Sequence, residues 1–145
     1  MVIGRLREGP TEDLLNELGL KAKVRFIHDL TRDEMAEQYA GATVCVTPSL
    51  HEGFGLPAAE AMCCGAPVVV TDGGALPEVV GEAGVVVRKG DSAALAEALA
   101  QVLADPARRA AMSEASLKRA QAAFSWDRAA AAYEAVLERA AARKC

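Results

Sequence analysis

The sequence predicts an α/β fold in which a parallel sheet is covered by helices and the C-terminal third is entirely helical. Three observations lead there. Short β-branched runs alternate with longer amphipathic stretches. The run Ala66-Pro67-Val68-Val69-Val70-Thr71 is apolar almost throughout, as a strand buried on both faces of a parallel sheet must be. From Asp91 onward the spacing of apolar residues becomes helical and stays so.

In chain order, Val2-Ile3-Gly4 is the first strand run. Pro10-Thr11-Glu12-Asp13 opens a helix that carries Leu14, Leu15 and Leu18 and closes at Gly19, where a left-handed cap is easiest. Val24-Arg25-Phe26-Ile27 is the second strand. Thr31 and Glu34 stand at capping-box spacing, so a helix starts near Arg32 and runs past Met35 and Tyr39 to Ala40-Gly41. Thr43 to Thr47 is a strand ended by Pro48, and Gly84-Val85-Val86-Val87 is a further strand nearer an edge. Leu95, Leu99, Val102 and Leu103 give the first terminal helix its spacing, and Asp105 (before Pro106) and Ser125 cap the second and third of them. Trp126 reads as core or as a packing anchor for the last of them. No internal repeat or linker divides the chain, and 145 residues suit a single domain spanning 1–145.

A net charge of -4 and 52% hydrophobic against 25% charged residues describe an ordered globular chain without the clustered cations that nucleic acid or an anionic membrane requires. Arg108, Arg109, Lys118 and Arg119 give a local basic face, read as solvated surface in preference to a binding patch. The cysteines at 45, 63, 64 and 145 match neither a disulfide framework nor a zinc pattern, which suits a reducing compartment. Cys63-Cys64 reads as helix packing. No apolar run approaches the roughly 20 residues of a membrane span, and the opening MVIGRLREGP lacks the layout of a signal peptide. The expected location is cytoplasmic.

Chemistry concentrates in Pro48-Ser-Leu-His-Glu-Gly-Phe-Gly-Leu-Pro-Ala-Ala-Glu60, which runs from a strand through a glycine-bearing loop and a proline into a helix. Gly53 and Gly55 let backbone approach a ligand, and Pro57 suits a first helical turn whose N–H groups and positive dipole end favour an anion. Open parallel sheets bind ligands at this carboxyl end of a strand. Glu52 and Glu60 bracket the loop. A carboxylate suits the paired hydroxyls of a ribose, or the charge that develops on a sugar in transfer. On spacing alone, a solvent-facing pair explains the two acids as well. His51 reads as structural, and Glu78 as an acid favoured by the start of a helix.

EGFGLPAAE, read with VTPSLHEGFG before it and EAMCCGAPVVVTDGGALPEVVG after it, resembles the signature of retaining glycosyltransferases of family 4 (group 1), including their EX7E motif. The similarity runs from Val24-Arg-Phe through GDSAALAEAL to Phe124-Ser-Trp126. It implies the C-terminal, Rossmann-like half of a GT-B fold, a nucleotide diphosphate sugar as donor with its base unknown, and neither cofactor nor metal. It also implies that Glu60 holds the ribose hydroxyls, that Glu52 is the catalytic carboxylate beside the donor sugar and phosphate, and that Gly53, Phe54, Gly55 and Leu56 contact the donor. His28, Asp29 and Leu30 occupy the turn that frames the nucleobase in relatives, where glycine is common. Asp72-Gly73-Gly74 with Pro77-Glu78 matches another stretch near the donor.

The resemblance places Val2-Ile3-Gly4 on the second strand of such a domain. A fragment is therefore expected, lacking the N-terminal acceptor domain, the first strand, and the arginine and lysine that usually neutralise the leaving diphosphate. The isolated chain would then be inactive, and strand edges left unpaired favour a homo-oligomer. The competing reading is a non-catalytic truncated module used for self-association or protein interaction. A GT-B epimerase or phosphorylase fits the EGFG loop less well, and a dinucleotide oxidoreductase less again, since no GxGxxG follows the first strand.

Overall fold

The computed structural model describes residues 1–4 and 9–142. The chain divides into two compact units, Met1–Met35 and Ala36–Cys145. Cys145 itself lies outside the described residues.

In the first unit, β1 (Val2–Ile3) pairs parallel with β2 (Phe26–Ile27), Val2 opposite Phe26 and Ile3 opposite Ile27. Helix α1 (Pro10–Glu17) begins on a proline whose missing N–H would have had no intrahelical partner, and Gly19 beyond its end has φ of 63°. A 3₁₀ turn at Lys21–Lys23 consumes the residues before β2, so the expected strand from Val24 pairs only over its last two positions. The capping box forms as the spacing required: Thr31 Oγ1 accepts from the Glu34 N–H at 3.3 Å, and the Glu34 carboxylate accepts from the Thr31 N–H at 2.8 Å. The Thr31 N–H foremost, and then the Thr31 hydroxyl, which also donates to the Glu34 carboxylate at 2.7 Å, hold the Glu34 carboxyl below its ordinary pKa. Helix α2 (Arg32–Ala40) follows and carries the chain across the division between the units.

The second unit holds a parallel sheet in the order β3-β4-β5: β3 (Cys45–Thr47), β4 (Val68–Thr71) and β5 (Val85–Val87). Cys45 lies opposite Val68, and Val69 opposite Val85. Central β4 is buried at every residue, as its apolar run required, and β5 is an edge. Pairing by β4 starts after Pro67, which has no N–H to give, and its carbonyl accepts from Cys45 instead.

Between these strands lie α3 (Leu56–Cys63) and α4 (Leu76–Val80). Helices α5 (Ser92–Ala104), α6 (Pro106–Ala123) and α7 (Trp126–Ala142) complete the chain. Val69 on β4, Ala98 and Val102 on α5, and Met112 on α6 form one core cluster, with Val44, Val85, Val87, Leu95 and Leu99 against it. The caps at Asp91, Asp105 and Ser125 accept from the N–H groups of Ala94, Arg108 and Arg128 at 2.9, 2.9 and 3.2 Å.

Two expectations need correction. The face at 108–119 is only partly free surface. Arg109 donates to the carbonyls of Val102 and Leu103 at the end of α5, and Arg119 to those of Glu78 and Val79 in α4, so both guanidinium groups satisfy terminal helix carbonyls. Trp126 is not core: it is 89% exposed, and no residue of α7 is buried. Tyr133, Val136 and Leu137 share its exposure, so the apolar spacing is present without burial. Among the described residues, no helix is long and apolar enough to cross a membrane.

Candidate functional site

The loop after β3 turns into α3 at Gly55, whose φ of 90° is left-handed and whose added Cβ would lie 2.8 Å from the Leu76 side chain. A side chain there would be strained by the left-handed backbone and would push the Leu76 methyl aside. Pro57 stands in the first turn of α3, and no side chain caps the helix. The N–H groups of Gly53, Phe54, Gly55 and Leu56 therefore form no hydrogen bond among the described residues. Four consecutive free donors at the positive end of a helix make a place for an anion.

Glu52 is held at the start of this loop by two hydrogen bonds. The Ser49 hydroxyl donates to Glu52 Oε1 at 2.9 Å, and the Glu52 carbonyl accepts from the Ala75 N–H at 3.1 Å. Thr71 at the end of β4 donates its hydroxyl to the Ser49 carbonyl. A Cβ on Gly73 would strike the Ser49 carbonyl oxygen, and one on Gly74 the Glu52 carbonyl oxygen. The Asp72-Gly73-Gly74 stretch is thus the platform on which the Glu52 segment rests. Asp72 fixes the platform in turn by accepting from the Lys89 N–H at 2.7 Å.

Glu60 projects from α3 as an exposed residue. Its Oε2 accepts from the Tyr39 hydroxyl at 3.3 Å, a contact across 21 positions that no sequence spacing signals. Tyr39 is 8% exposed. Burial, reinforced by the charge of Glu60, pushes its phenol up to about 12. Phe54 is half exposed and meets Phe124 edge to face at 6.3 Å between ring centroids. Leu56 and His51 are exposed.

The base-framing candidates His28, Asp29 and Leu30 lie in the first unit, whereas Glu52 to Glu60 lie in the second. His28 Nδ1 is 2.8 Å from Asp29 Oδ2, and both side chains face solvent. Asp29 has φ of 58°, the only positive φ among described residues other than glycine. An aspartate tolerates that conformation, at a turn where the resemblance implies glycine.

Cys63 is exposed, so the expected packing role falls to Cys64 at the helix end, which is partly buried. Burial pushes both thiols up, and Cys45 on β3 reaches about 11, first through burial and then through the nearby Cys64. These are not thiolate nucleophiles at neutral pH. Among the described residues, no group of three or more His, Cys, Asp or Glu is placed to hold a metal. An open depression at the start of α5, lined by residues 88–93, contains none of the candidate donor residues.

Parallel sheets covered by helices, with a glycine-bearing loop opening a helix between two glutamates, describe the donor-side architecture of a GT-B glycosyltransferase. Residues 1–119 match the family "Glycosyl transferases group 1", and the chain belongs to it. The MMP alpha-(1->4)-mannosyltransferase of Mycolicibacterium hassiacum is 42% identical over 93% of this chain and 34% of its own length. The D-inositol 3-phosphate glycosyltransferase of Streptomyces bingchenggensis is 39% identical over 82% of this chain and 26% of its own. Among solved structures, sucrose-phosphate synthase from Thermosynechococcus elongatus superposes with a TM-score of 0.82 at 35% identity, over 92% of this chain and 34% of that one. Anabaena Alr3699/HepE in complex with UDP-glucose gives 0.71 at 25% identity, over 79% and 32%. The chain thus spans between about a quarter and a third of the length of these relatives.

Proposed function

We propose that this chain is the donor-binding part of a family 4 glycosyltransferase, which transfers a sugar from a nucleotide diphosphate sugar to an acceptor hydroxyl with retention of configuration. The observation that carries the reading is the row of four free N–H groups, Gly53 to Leu56, set between the carboxylates of Glu52 and Glu60. A diphosphate suits the free donors and the helix end. Glu60, the second glutamate of the EX7E motif, takes the ribose hydroxyls, and Glu52 the sugar side of the phosphate, where positive charge develops. Gly53, Phe54, Gly55 and Leu56 contact the donor. The UDP-glucose held by the Anabaena relative is a ligand of this class. The reading calls for no metal or redox cofactor, places the chain in the cytoplasm, treats residues 1–145 as a single partial domain, and assigns the acceptor to a domain outside this sequence.

A panel of UDP-, GDP- and ADP-sugars titrated into the chain tests this. Saturable binding of one base class is expected, and no saturable binding by any of them contradicts it. A second reading, a non-catalytic module that self-associates through strand edges, is favoured by the exposure of Val46 on edge strand β3. It requires a stable oligomer that does not respond to nucleotide in sedimentation.

A further inference from the structure

We propose that Tyr39 is a positioning residue for Glu60, holding one carboxylate oxygen so that the other is presented to the ribose of a bound nucleotide. This rests on the donor-site reading of Glu60 and adds to it a residue that lies 21 positions upstream, on α2.

Glu60 is exposed, and an unrestrained glutamate on a helix surface samples many rotamers. A carboxylate receiving two vicinal hydroxyls must face one way, so its freedom is lost on binding unless something has already removed it. Tyr39 supplies that restraint. Its ring is 8% exposed and so fixed by packing, and its hydroxyl reaches Glu60 Oε2 at 3.3 Å. Glu60 Oε1 has no hydrogen bond among the described residues and is the atom left for ligand. The separation is long for an O–H···O bond, as such contacts often are before a ligand draws them in. Because burial and the Glu60 charge keep the phenol protonated to about pH 12, Tyr39 is a donor under all ordinary conditions. The arrangement repeats at the other end of the motif, where the Ser49 hydroxyl holds Glu52 Oε1 and leaves Oε2. Each carboxylate is thus tethered by one hydroxyl, from the same loop for Glu52 and from α2 for Glu60.

The experiment is a ligand-side cycle. Affinities of UDP, GDP and ADP, and of their 2′-deoxy counterparts, are measured by calorimetry on the chain as it stands, on Tyr39→Phe, on Glu60→Ala and on the double variant. Tyr39→Phe removes only the hydroxyl and keeps the ring, and each titration is run well below that variant's own melting transition. The expected result is that Tyr39→Phe weakens the ribonucleotide by roughly threefold to tenfold, the range of one net hydrogen bond, weakens the 2′-deoxy ligand, which keeps one of the two hydroxyls, by clearly less, and has no further effect once Glu60 is alanine. A purely structural role would weaken both ligands in both backgrounds, and that result overturns the inference. An unchanged ratio of ribo to deoxy affinity in Tyr39→Phe, with the ratio collapsed in Glu60→Ala, also overturns it while leaving Glu60 as the ribose residue. A ratio that Glu60→Ala fails to change removes the donor-site reading itself, and the inference with it.

Discussion

The Ser49 hydroxyl donates a 2.9 Å hydrogen bond to the Glu52 carboxylate, three residues ahead in the same loop. The loop that carries both is pinned from outside: Thr71 binds the Ser49 carbonyl, Ala75 binds the Glu52 carbonyl, and Gly73 and Gly74 allow the two backbones to touch. Position of the first glutamate therefore depends on the segment from Thr71 to Ala75 downstream.

Gly74→Ala tests that dependence. The residue has φ of 68°, and its Cβ would meet the Glu52 backbone, which has no flexible end to move aside. The expected loss of stability is about 1–3 kcal/mol, read from the shift in urea midpoint. Unchanged stability would mean the two backbones are not in contact.

Alkaline pH probes the buried side of the sheet. Cys45 is raised from 9.0 to about 11 and Tyr39 from 10.0 to about 12, so both groups bind their protons more tightly folded than unfolded. Their contribution is complete below pH 9, and it is lost between 9 and 11 for Cys45 and between 10 and 12 for Tyr39. Thermal melts across this range should show a falling transition temperature, and Tyr39→Phe should flatten the part above pH 10. An equally steep decline in that variant would contradict the assignment.

Trp126 is the single tryptophan and is 89% exposed. Its emission should match that of a solvated indole, shift little on unfolding in urea, and be quenched freely by iodide. A blue-shifted, protected emission would show that α7 is covered in solution.

The legible and illegible features divide along a physical line. Strand runs, the Thr31 and Glu34 capping box and the caps at Asp105 and Ser125 depend on neighbours a few residues away, and the sequence predicts them within a residue or two. The helix cap at Gly55 and the loop before it are local in the same sense. Trp126 misleads because helical spacing records that a face is apolar without recording what covers it. Tyr39 meets Glu60 across 21 positions, and Arg119 reaches the Glu78 carbonyl across 41. Such pairings belong to packing, and spacing carries no sign of them. Glycine pairs are the exception worth noting: Gly73-Gly74 marks a close backbone approach even when the partner is unknown.

The central claim is that Glu60 binds the nucleotide of a sugar donor. It is tested most directly by paired calorimetric titrations of the chain and of Glu60→Ala with UDP, GDP and ADP. The account predicts that one of the three binds and that the substitution weakens it by about tenfold or more, the value of hydrogen bonds to a charged group. Equal affinity in the two proteins, or equally poor binding of all three, would contradict it.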